Sequence, residues 1–372
     1  MKEIFTLILL GFCLLSTVIV SIPILIKIKN IKTNGNGNIG LNSAYQRVKS
    51  DDPDYIYIPI IATNNIDGNY NQWELEGNNI KYKIGGLEYL LRYINILKDE
   101  FGKNRVLYLD AGNYYSNSKS NETHIIDKFF NYSGLKATIL NQNDYQNPKL
   151  GERINKMNST ILSNYTKMFK IYSIPLFNGD KIRIGILGLS INNNEKNNID
   201  SIKKEIQLYI NLLKENKVDS IILLTNLFIQ CSNGDLTLDI YSNYSQICDE
   251  YSSNNNSIFK IIQNLDENDL FDVAVMSNSF SNEIHHWTRG IPIMSSPPGG
   301  KYFNILYLPF KKNGNKYLLN KKEIKIEGPL PICEKIFNDT RICSDDMITK
   351  TYNLIYFSWH DRKIYKDPNL KI

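Results

Sequence analysis

Histidine is the scarcest reactive side chain in this sequence. The 372 residues include only four, at His124, His285, His286 and His360. No Ser/His/Asp or Cys/His arrangement suited to nucleophilic catalysis can be traced. Blocks of like charge are also missing, because 43 Lys and Arg against 38 Asp and Glu leave a net charge of +5 spread along the chain. No basic stripe alternates with aromatic residues, so nucleic acid is excluded as an expected partner.

Apolar residues and asparagine are plentiful. Hydrophobic residues make up 42% of the chain and charged residues 22%. A chain of this length and composition buries a sizeable core and suits one large α/β domain or two smaller ones. About 48 residues are Asn, roughly one in eight, which we interpret as a compositional bias.

The N-terminus contains a long apolar run from Ile4 to Ile26. About 20 such residues cross a bilayer, whereas the apolar region of a signal peptide is usually shorter. Residues 1–29 are therefore predicted to be an uncleaved signal anchor, with a cleaved signal peptide as the alternative. Residues 30–54 are rich in Gly, Asn, Ser and Lys without an apolar period, which predicts a flexible linker.

Two features disagree on the side of the membrane that the body of the protein occupies. More lysines follow the span than precede it, which by the positive-inside rule favours a cytosolic body. The cysteines favour an oxidising compartment, because four of the five fall into two sequence-close pairs, Cys231 with Cys248 and Cys333 with Cys343. We give the cysteines more weight and predict a membrane-anchored extracytosolic domain in the secretory pathway, or a secreted one if the N-terminus is cleaved.

Seven Asn-X-Ser/Thr sequons fit an extracytosolic glycoprotein. They lie at Asn121, Asn131, Asn158, Asn164, Asn243, Asn255 and Asn338. In a chain this rich in asparagine about five would arise by chance, so the sequons alone decide little.

Apolar strand-like runs alternate with helical periodicity through the first half of the body. Leu87 to Leu97 has helical spacing, with Glu88 and Glu100 predicted on its solvated face. The runs that predict strands are 55–62, 105–109, 182–189, 220–225, 271–276, 291–295 and 302–310. Strands alternating with helices early, then mostly strands, predict a mixed sheet or two stacked sheets flanked by helices.

Five polar loops follow these strands, where functional groups gather in α/β domains. They read TNNIDG from Thr63, DAGN from Asp110, LNQNDY from Leu140, TN from Thr225 and SNSF from Ser277. In order and spacing they resemble T-N-D-x-H-G, D-A-G-D, L-G-N-H-E-F, a ligand histidine and G-H-x-H of the 5′-nucleotidase branch of the calcineurin-like metallophosphoesterases. The resemblance covers residues 55–343, and 344–372 is predicted to be a C-terminal tail too short for the family's second domain.

The resemblance implies a four-layer αββα sandwich, with two mixed β-sheets flanked by helices. It also implies hydrolysis of nucleoside phosphates by two divalent metal ions such as Zn²⁺ or Mn²⁺. At the implied metal positions this chain has Asn65 and Asn113 for Asp, Gln142 for Asn, and Asp67, Asn226, Asn278 and Phe280 for His. Asn143 replaces the histidine that assists the leaving group.

These replacements remove nearly every anionic or imidazole ligand. A carboxamide offers one neutral oxygen and cannot bridge two cations as a carboxylate does. We therefore expect no metal cofactor and a catalytically inactive binding protein, whose ligand could be a nucleotide or another small molecule. The alternatives are a weakly active phosphomonoesterase with an atypical metal site, one version of which relocates the metal to His285, His286 and Asp67, and a decaying gene product without a molecular role.

One acidic residue keeps the position that the resemblance gives it. Asp110 stands where the resemblance implies a residue that orients its loop. An ordinary turn aspartate explains it equally well, so both interpretations are kept.

Overall fold

The computed structural model describes residues 54–77, 80–115, 124–162, 167–176, 179–191, 199–227, 229–231, 247–249, 257–277, 284–337, 343 and 354–370. The predicted N-terminal span and all of the linker except Asp54 lie outside these residues, as do five sequons, at Asn121, Asn164, Asn243, Asn255 and Asn338. Among the residues that are described, no helix is both long and apolar enough to cross a bilayer.

The first sheet has seven strands and is mixed. Its path runs β14-β13-β1-β4-β5-β6, and β15 also pairs with β13. The strands β1, β4, β5 and β6 are parallel, whereas β13 is antiparallel to β1, β14 and β15. The bounds are β1 Tyr55–Thr63, β4 Leu107–Asp110, β5 Leu135–Ile139, β6 Thr160–Leu162, β13 Tyr302–Asn313, β14 Lys316–Leu319 and β15 Lys325–Pro331.

The second sheet has six strands in the order β11-β12-β10-β9-β8-β7. The inner strands β8, β9, β10 and β12 are parallel, and the edge strands β7 and β11 are antiparallel to their neighbours. The bounds are β7 Phe169–Pro175, β8 Lys181–Leu189, β9 Ser220–Thr225, β10 Val273–Met276, β11 Ile284–Thr288 and β12 Ile291–Ser295.

Helices and two-stranded ribbons complete the described structure. The helices are α1 Leu87–Phe101, α2 His124–Ser133, α3 Gln142–Tyr145, α4 Leu150–Ile154, α5 Ile199–Glu215 and α6 Ile258–Asn264. The ribbons are β2 Gln72–Gly77 with β3 Ile80–Gly85, β16 Lys335–Phe337 with β17 Leu354–Tyr356, and β18 Ser358–Trp359 with β19 Arg362–Lys363.

The two sheets pack face to face with helices outside. Ile60, Leu109 and Leu308 of the first sheet share a buried cluster with Ile186 and Leu224 of the second. A further cluster lies beneath α5 and α6 on the outer face of the second sheet. The outer face of the first sheet packs on α1 and α2 through ring contacts of Tyr93 with Phe303 and Tyr108 with Phe129. The predicted four-layer αββα sandwich is therefore confirmed.

A glycine fixes how closely the sheets approach. A Cβ at Gly188 of β8 would lie 2.3 Å from the Cβ of Leu162 and 3.0 Å from Cγ2 of Ile139. Real Cβ atoms do not approach this closely, so the backbone of β8 needs a residue without a side chain at this point. This contact is close to the ends of the strands that carry the loops.

The helix α1 is more covered than the sequence indicated. Glu88 pairs with Lys366 at 2.7 Å, and Glu100 pairs with Nδ1 of His360 at 2.7 Å. The side chains of Glu88 and Glu100 are only 14% and 7% exposed, so their prediction on a solvated face is wrong. The segment 354–370, within the predicted C-terminal tail, supplies both partners, and its Trp359 packs on Tyr93 of α1.

Both predicted disulfides are confirmed. Cys231 is bonded to Cys248 and Cys333 to Cys343. Disulfides persist in oxidising compartments and are rare in the cytosol. They therefore indicate an extracellular or secretory-pathway environment for this domain.

Candidate functional site

The loops predicted to carry chemistry meet at one end of the sandwich. They follow β1, β4 and β5 in the first sheet and β9 and β10 in the second, and within each sheet these strands are parallel. Parallel strands deliver their carboxyl ends to the same edge. A direct bond joins the two sheets there, because Asn141 Nδ2 donates to the Ser277 hydroxyl at 2.6 Å. The structure therefore brings these loops together.

The β1 and β4 loops are joined along their backbones. The amide of Asn65 donates to the carbonyl of Gly112 at 2.9 Å, and the amide of Asp67 donates to the carbonyl of Asn113 at 2.9 Å. The side chains of Asn65 and Asn113 also meet, since Nδ2 of Asn113 donates to Oδ1 of Asn65 at 3.4 Å. Three of the predicted site residues, Asn65, Asp67 and Asn113, thus lie in one pair of loops.

These three residues share an unusual backbone conformation. Their φ angles are 50° for Asn65, 54° for Asp67 and 58° for Asn113, all in the left-handed region. Among residues with a Cβ, Asn and Asp tolerate this region best because their short polar side chains bond locally. Replacing a ligand Asp by Asn therefore removes the charge without disturbing the turn.

Asp110 lies beneath these turns and orders them. Its carboxylate is fully buried and accepts bonds from the Gly112 amide at 2.8 Å and the Thr63 hydroxyl at 2.5 Å. Burial raises the pKa of Asp110 to about 7, although the bonds from Thr63 and Gly112 oppose that shift. These contacts support the interpretation of Asp110 as a loop-orienting residue over that of an ordinary turn aspartate.

Asp144, which the sequence did not single out, organises the same loops from the other side. Its buried carboxylate accepts four backbone N–H bonds of 2.8 to 3.0 Å, from Asn113, Tyr114, Tyr115 and Asn141. Burial raises the pKa of Asp144 to about 6, and these same bonds act to lower it. The only sequence signal was its place in the third loop, because backbone donors from another loop cannot be read from a sequence.

Asp67 is the one acidic residue among the predicted ligand positions. Burial, together with the nearby charge of Asp144, raises the pKa of Asp67 from its ordinary value of 3.8 to about 7. The carboxyl of Asp67 therefore keeps its proton to a higher pH than an ordinary aspartate does.

Two further asparagines have their amide groups committed to neighbouring loops. Asn226 accepts from the Ile191 amide at 2.7 Å and donates to the Ile191 carbonyl at 2.8 Å. Asn141 donates to the Ala111 carbonyl at 3.0 Å as well as to Ser277. Asn226 thus bonds to the loop that follows β8. None of the described hydrogen bonds connects it to Asn65 or Asn113.

Four other predicted positions are less defined. Gln142 and Asn143 begin α3, but the placement of their side chains lies outside the description. Asn278 and Phe280 lie outside the described residues altogether.

The relocated metal site has no support in the placement of the two histidines. His285 and His286 are neighbours on β11, and adjacent strand residues point to opposite faces. His286 packs edge-on against Phe259 of α6 at 5.3 Å. Burial lowers the pKa of His285. In the described part of the chain, no group of three or more His, Cys, Asp or Glu is arranged to hold a metal.

The donors described here do not fit a pair of divalent ions. Such ions need several anionic or imidazole ligands to compensate their charge. Among the described ligand positions, Asn65 bonds to Asn113, Asn226 bonds to backbone at both ends, and Asp67 is the one that has a carboxyl group. We therefore derive no hydrolytic step through metals at this site.

Comparison with known proteins identifies the fold. No protein-family model matches the sequence, and no curated protein matches it. Among solved structures, the calcineurin-like phosphoesterase YfkN from Bacillus subtilis has a TM-score of 0.52 at 16% identity over 74% of this chain and 91% of that one. A putative 5′-nucleotidase from Staphylococcus aureus has a TM-score of 0.54 at 12% identity over 76% of this chain. A 5′-nucleotidase precursor from Thermus thermophilus has a TM-score of 0.50 at 14% identity over 73%.

The class that these neighbours define is the calcineurin-like phosphoesterase fold, including the 5′-nucleotidases, as the five loops had indicated. The chain spans only 56% and 54% of the two 5′-nucleotidase chains. At these identities the likeness shows the fold alone.

Proposed function

We propose that this protein is a catalytically inactive member of the 5′-nucleotidase-like phosphoesterases and serves as a binding protein in the secretory pathway. The observation that carries the proposal is the amide pair of Asn65 and Asn113, held in left-handed turns where the family has two carboxylate ligands. At that point the loops are joined within the protein, by two backbone bonds of 2.9 Å and a longer contact of 3.4 Å between the two amides. We infer that the loops hold this arrangement without a cation between them.

The local electrostatics support the same proposal. A metal-activated hydroxide requires cations whose charge is balanced by the protein. Asp67 is the one acidic residue among the described ligand positions, burial raises its pKa, and the carboxylate of Asp144 accepts four backbone bonds from the loops. At this end of the domain the loop residues bond to one another.

The ligand class follows from the same chemistry. Amide-rich pockets recognise polar groups by hydrogen bonds, whereas phosphate groups favour positively charged ones. A ligand such as a nucleoside or a sugar suits these loops better than the phosphate part of a nucleotide does. We therefore expect adenosine to raise the melting temperature of the protein more than AMP does.

The proposal is tested by metal analysis and turnover of the purified full chain. We expect no stoichiometric metal by mass spectrometry and no AMP hydrolysis with Zn²⁺, Mn²⁺, Mg²⁺ or Ca²⁺. A matched variant restores the two carboxylates, Asn65→Asp with Asn113→Asp. Because the turns already have the required backbone conformation, this variant should bind divalent metal more tightly than the native chain.

The opposite result would establish the enzyme alternative. Bound metal together with hydrolysis that Asp67→Ala abolishes would show a working atypical site and overturn the proposal.

A further inference from the structure

We propose that one face of the first sheet adsorbs to an anionic phospholipid surface. The tyrosine–lysine face consists of Tyr55, Tyr57, Lys311, Lys316, Leu318 and Lys325. It does not depend on the function proposed for the loops, which lie at the other end of β1. Its argument rests on strand alternation, charge and the point where the chain enters the domain.

Strand alternation places these side chains on the outer face of the sheet. Along β1, Ile56, Ile58 and Ile60 pack into the cluster between the sheets, so Tyr55 and Tyr57 face outward. The other four members alternate in the same way with inward side chains of their own strands. Those inward side chains are at positions 310, 317, 319, 324 and 326. The register agrees, because Lys311 pairs with Tyr55 on one side and with Leu318 on the other.

The helix layer ends before it reaches this face. Phe101, the last residue of α1, contacts the ring of Tyr307 at 6.0 Å. Tyr307 precedes Lys311 by four positions on β13, and Lys311 and Lys316 are exposed. Half of Leu318 is also exposed. Within the described part of the chain, Lys311, Lys316 and Leu318 are exposed, whereas Tyr55, Tyr57 and Lys325 are half-buried.

Three lysines supply the positive charge of this face. Lys311, Lys316 and Lys325 come from three strands, and the hairpin of β13 and β14 and the pairing of β15 bring them together. They belong to the stretch 311–325, which contains six lysines and one glutamate. Lys321 of that stretch forms an ion pair with Asp272 at 2.7 Å and is not part of the face.

Aromatic rings interleave with this charge. Lys311 lies 5.3 Å from the ring centre of Tyr55 and Lys325 lies 5.8 Å from that of Tyr57, while the two rings stack at 6.2 Å. Amphipathic rings and the stems of lysines suit the headgroup level of a bilayer, where apolar and polar surroundings meet. The exposed Leu318 adds an apolar group to the same face.

The chain enters the domain at the border of this face. The amide of Lys312 donates to the carbonyl of Asp54, the first described residue. The predicted apolar span ends at Ile26, and residues 30–54 form the predicted linker. A linker that enters here keeps the face within reach of the membrane that the predicted span would cross, which favours a lipid surface over nucleic acid.

The test places a probe on the face of the full chain. Leu318→Cys carries an environment-sensitive dye in a Cys13→Ser background, since Cys13 is the only cysteine outside the two disulfides. The chain is reconstituted into vesicles of phosphatidylcholine alone or with about one-third phosphatidylserine. We expect a blue shift and severalfold slower acrylamide quenching with phosphatidylserine, reversed at high salt because screening shortens the range of the attraction.

A charge-matched pair of variants separates this face from general basicity. Lys311→Gln, Lys316→Gln and Lys325→Gln together should weaken adsorption on the order of a hundredfold, since each lysine near an anionic surface is worth about a fivefold factor. The control replaces three exposed lysines on other surfaces, at Lys81, Lys149 and Lys204, and should leave the blue shift unchanged. If the triple variant fails to fold, the single change Lys311→Gln replaces it and should weaken adsorption about fivefold.

Three results would overturn the proposal. One is equal dye spectra in the two kinds of vesicle, and another is an equal loss in the control variant. The third is a dye response to single-stranded oligonucleotide without one to phosphatidylserine, which would assign the face to nucleic acid.

Discussion

At the scale of single residues, the candidate site shows that charge and backbone conformation are separable. Asn65 and Asn113 keep the left-handed turns that aspartates adopt equally well, yet each amide is neutral. The sequence could predict which positions lie in the loops, because each loop follows its own strand. It could not predict that the two amides bond to each other, since that contact depends on a register between loops 48 residues apart.

Asp67 makes the stability of the domain depend on pH. Its folded pKa of about 7 exceeds its ordinary value of 3.8, so the folded state binds this proton more tightly. The stabilisation is complete below the unfolded pKa and is lost as the pH rises through about 7. The full difference in pKa corresponds to about 4 kcal/mol. Because solvent reaches the half-buried side chain and screens it, Asp67→Asn should raise the free energy of unfolding at pH 8 by about 1–3 kcal/mol and change it little at pH 4.

Urea denaturation of the native chain and the variant at both pH values measures this effect. Asp266→Asn is the control, because Asp266 is exposed and the substitution should have the same small effect at both pH values. An equal effect of Asp67→Asn at pH 4 and pH 8 would show that the carboxyl of Asp67 titrates normally.

At the scale of elements, strands buried on both faces were easier to predict than ribbons. The run Ser220 to Thr225 was predicted with its observed bounds, because an apolar strand between two parallel neighbours needs no polar face. The ribbon of β2 and β3 was missed, since Glu74, Lys81 and Lys83 make its sequence read as a loop. The ribbon β18–β19 was missed as well; its Trp359 packs on Tyr93 of α1, a contact between distant segments that local sequence does not reveal.

The C-terminal segment should contribute to the stability of α1 through Trp359. This side chain is 2% exposed, and its ring centre lies 5.0 Å from that of Tyr93 in α1 and 6.4 Å from that of Phe303. Trp359→Ala leaves a cavity and should lower the free energy of unfolding by about 3–5 kcal/mol, measured by chemical denaturation.

A nearby aromatic residue provides the comparison. Tyr365 is 43% exposed and lies beneath the guanidinium of Arg92. Tyr365→Ala should lower the free energy of unfolding by about 1 kcal/mol or less, because a largely exposed ring loses little buried area. Similar small losses for both variants would mean that the segment is not part of the cooperative unit.

At the scale of the whole molecule, the order of the loops and strands along the sequence made the fold predictable. The arrangement of side chains on the surface was not predictable in this way. The four-layer arrangement followed from the resemblance, whereas the grouping of Lys311, Lys316 and Lys325 on one face emerged only when three strands were paired. The disulfides were predictable because each pair is close in sequence, at separations of 17 and 10 residues. Long-range surfaces lack such a local signal.

Glycosylation tests the compartment that the disulfides indicate. Of the two described sequons, Asn158 is exposed, whereas the Asn131 side chain donates to the Lys156 carbonyl at 3.1 Å and accepts from the Asn158 amide at 2.9 Å. A glycan on Asn131 would displace those bonds. Chain expressed in a secretory system should therefore lose one glycan, seen as a glycosidase-sensitive mass change, in Asn158→Gln and none in Asn131→Gln.

Two outcomes would contradict this expectation. An unmodified chain would remove the support for entry into the secretory pathway. A glycan at Asn131 would mean that the bonds made by its amide do not form in the mature protein.

The bond between the amides of Asn65 and Asn113 has a consequence for how the domain matures. Apo forms of many metalloproteins are loosely ordered and wait for their ion before they become fully compact. Under the proposed function the turns are closed by the chain's own groups, so we expect the domain to mature without zinc or manganese and to be insensitive to chelators.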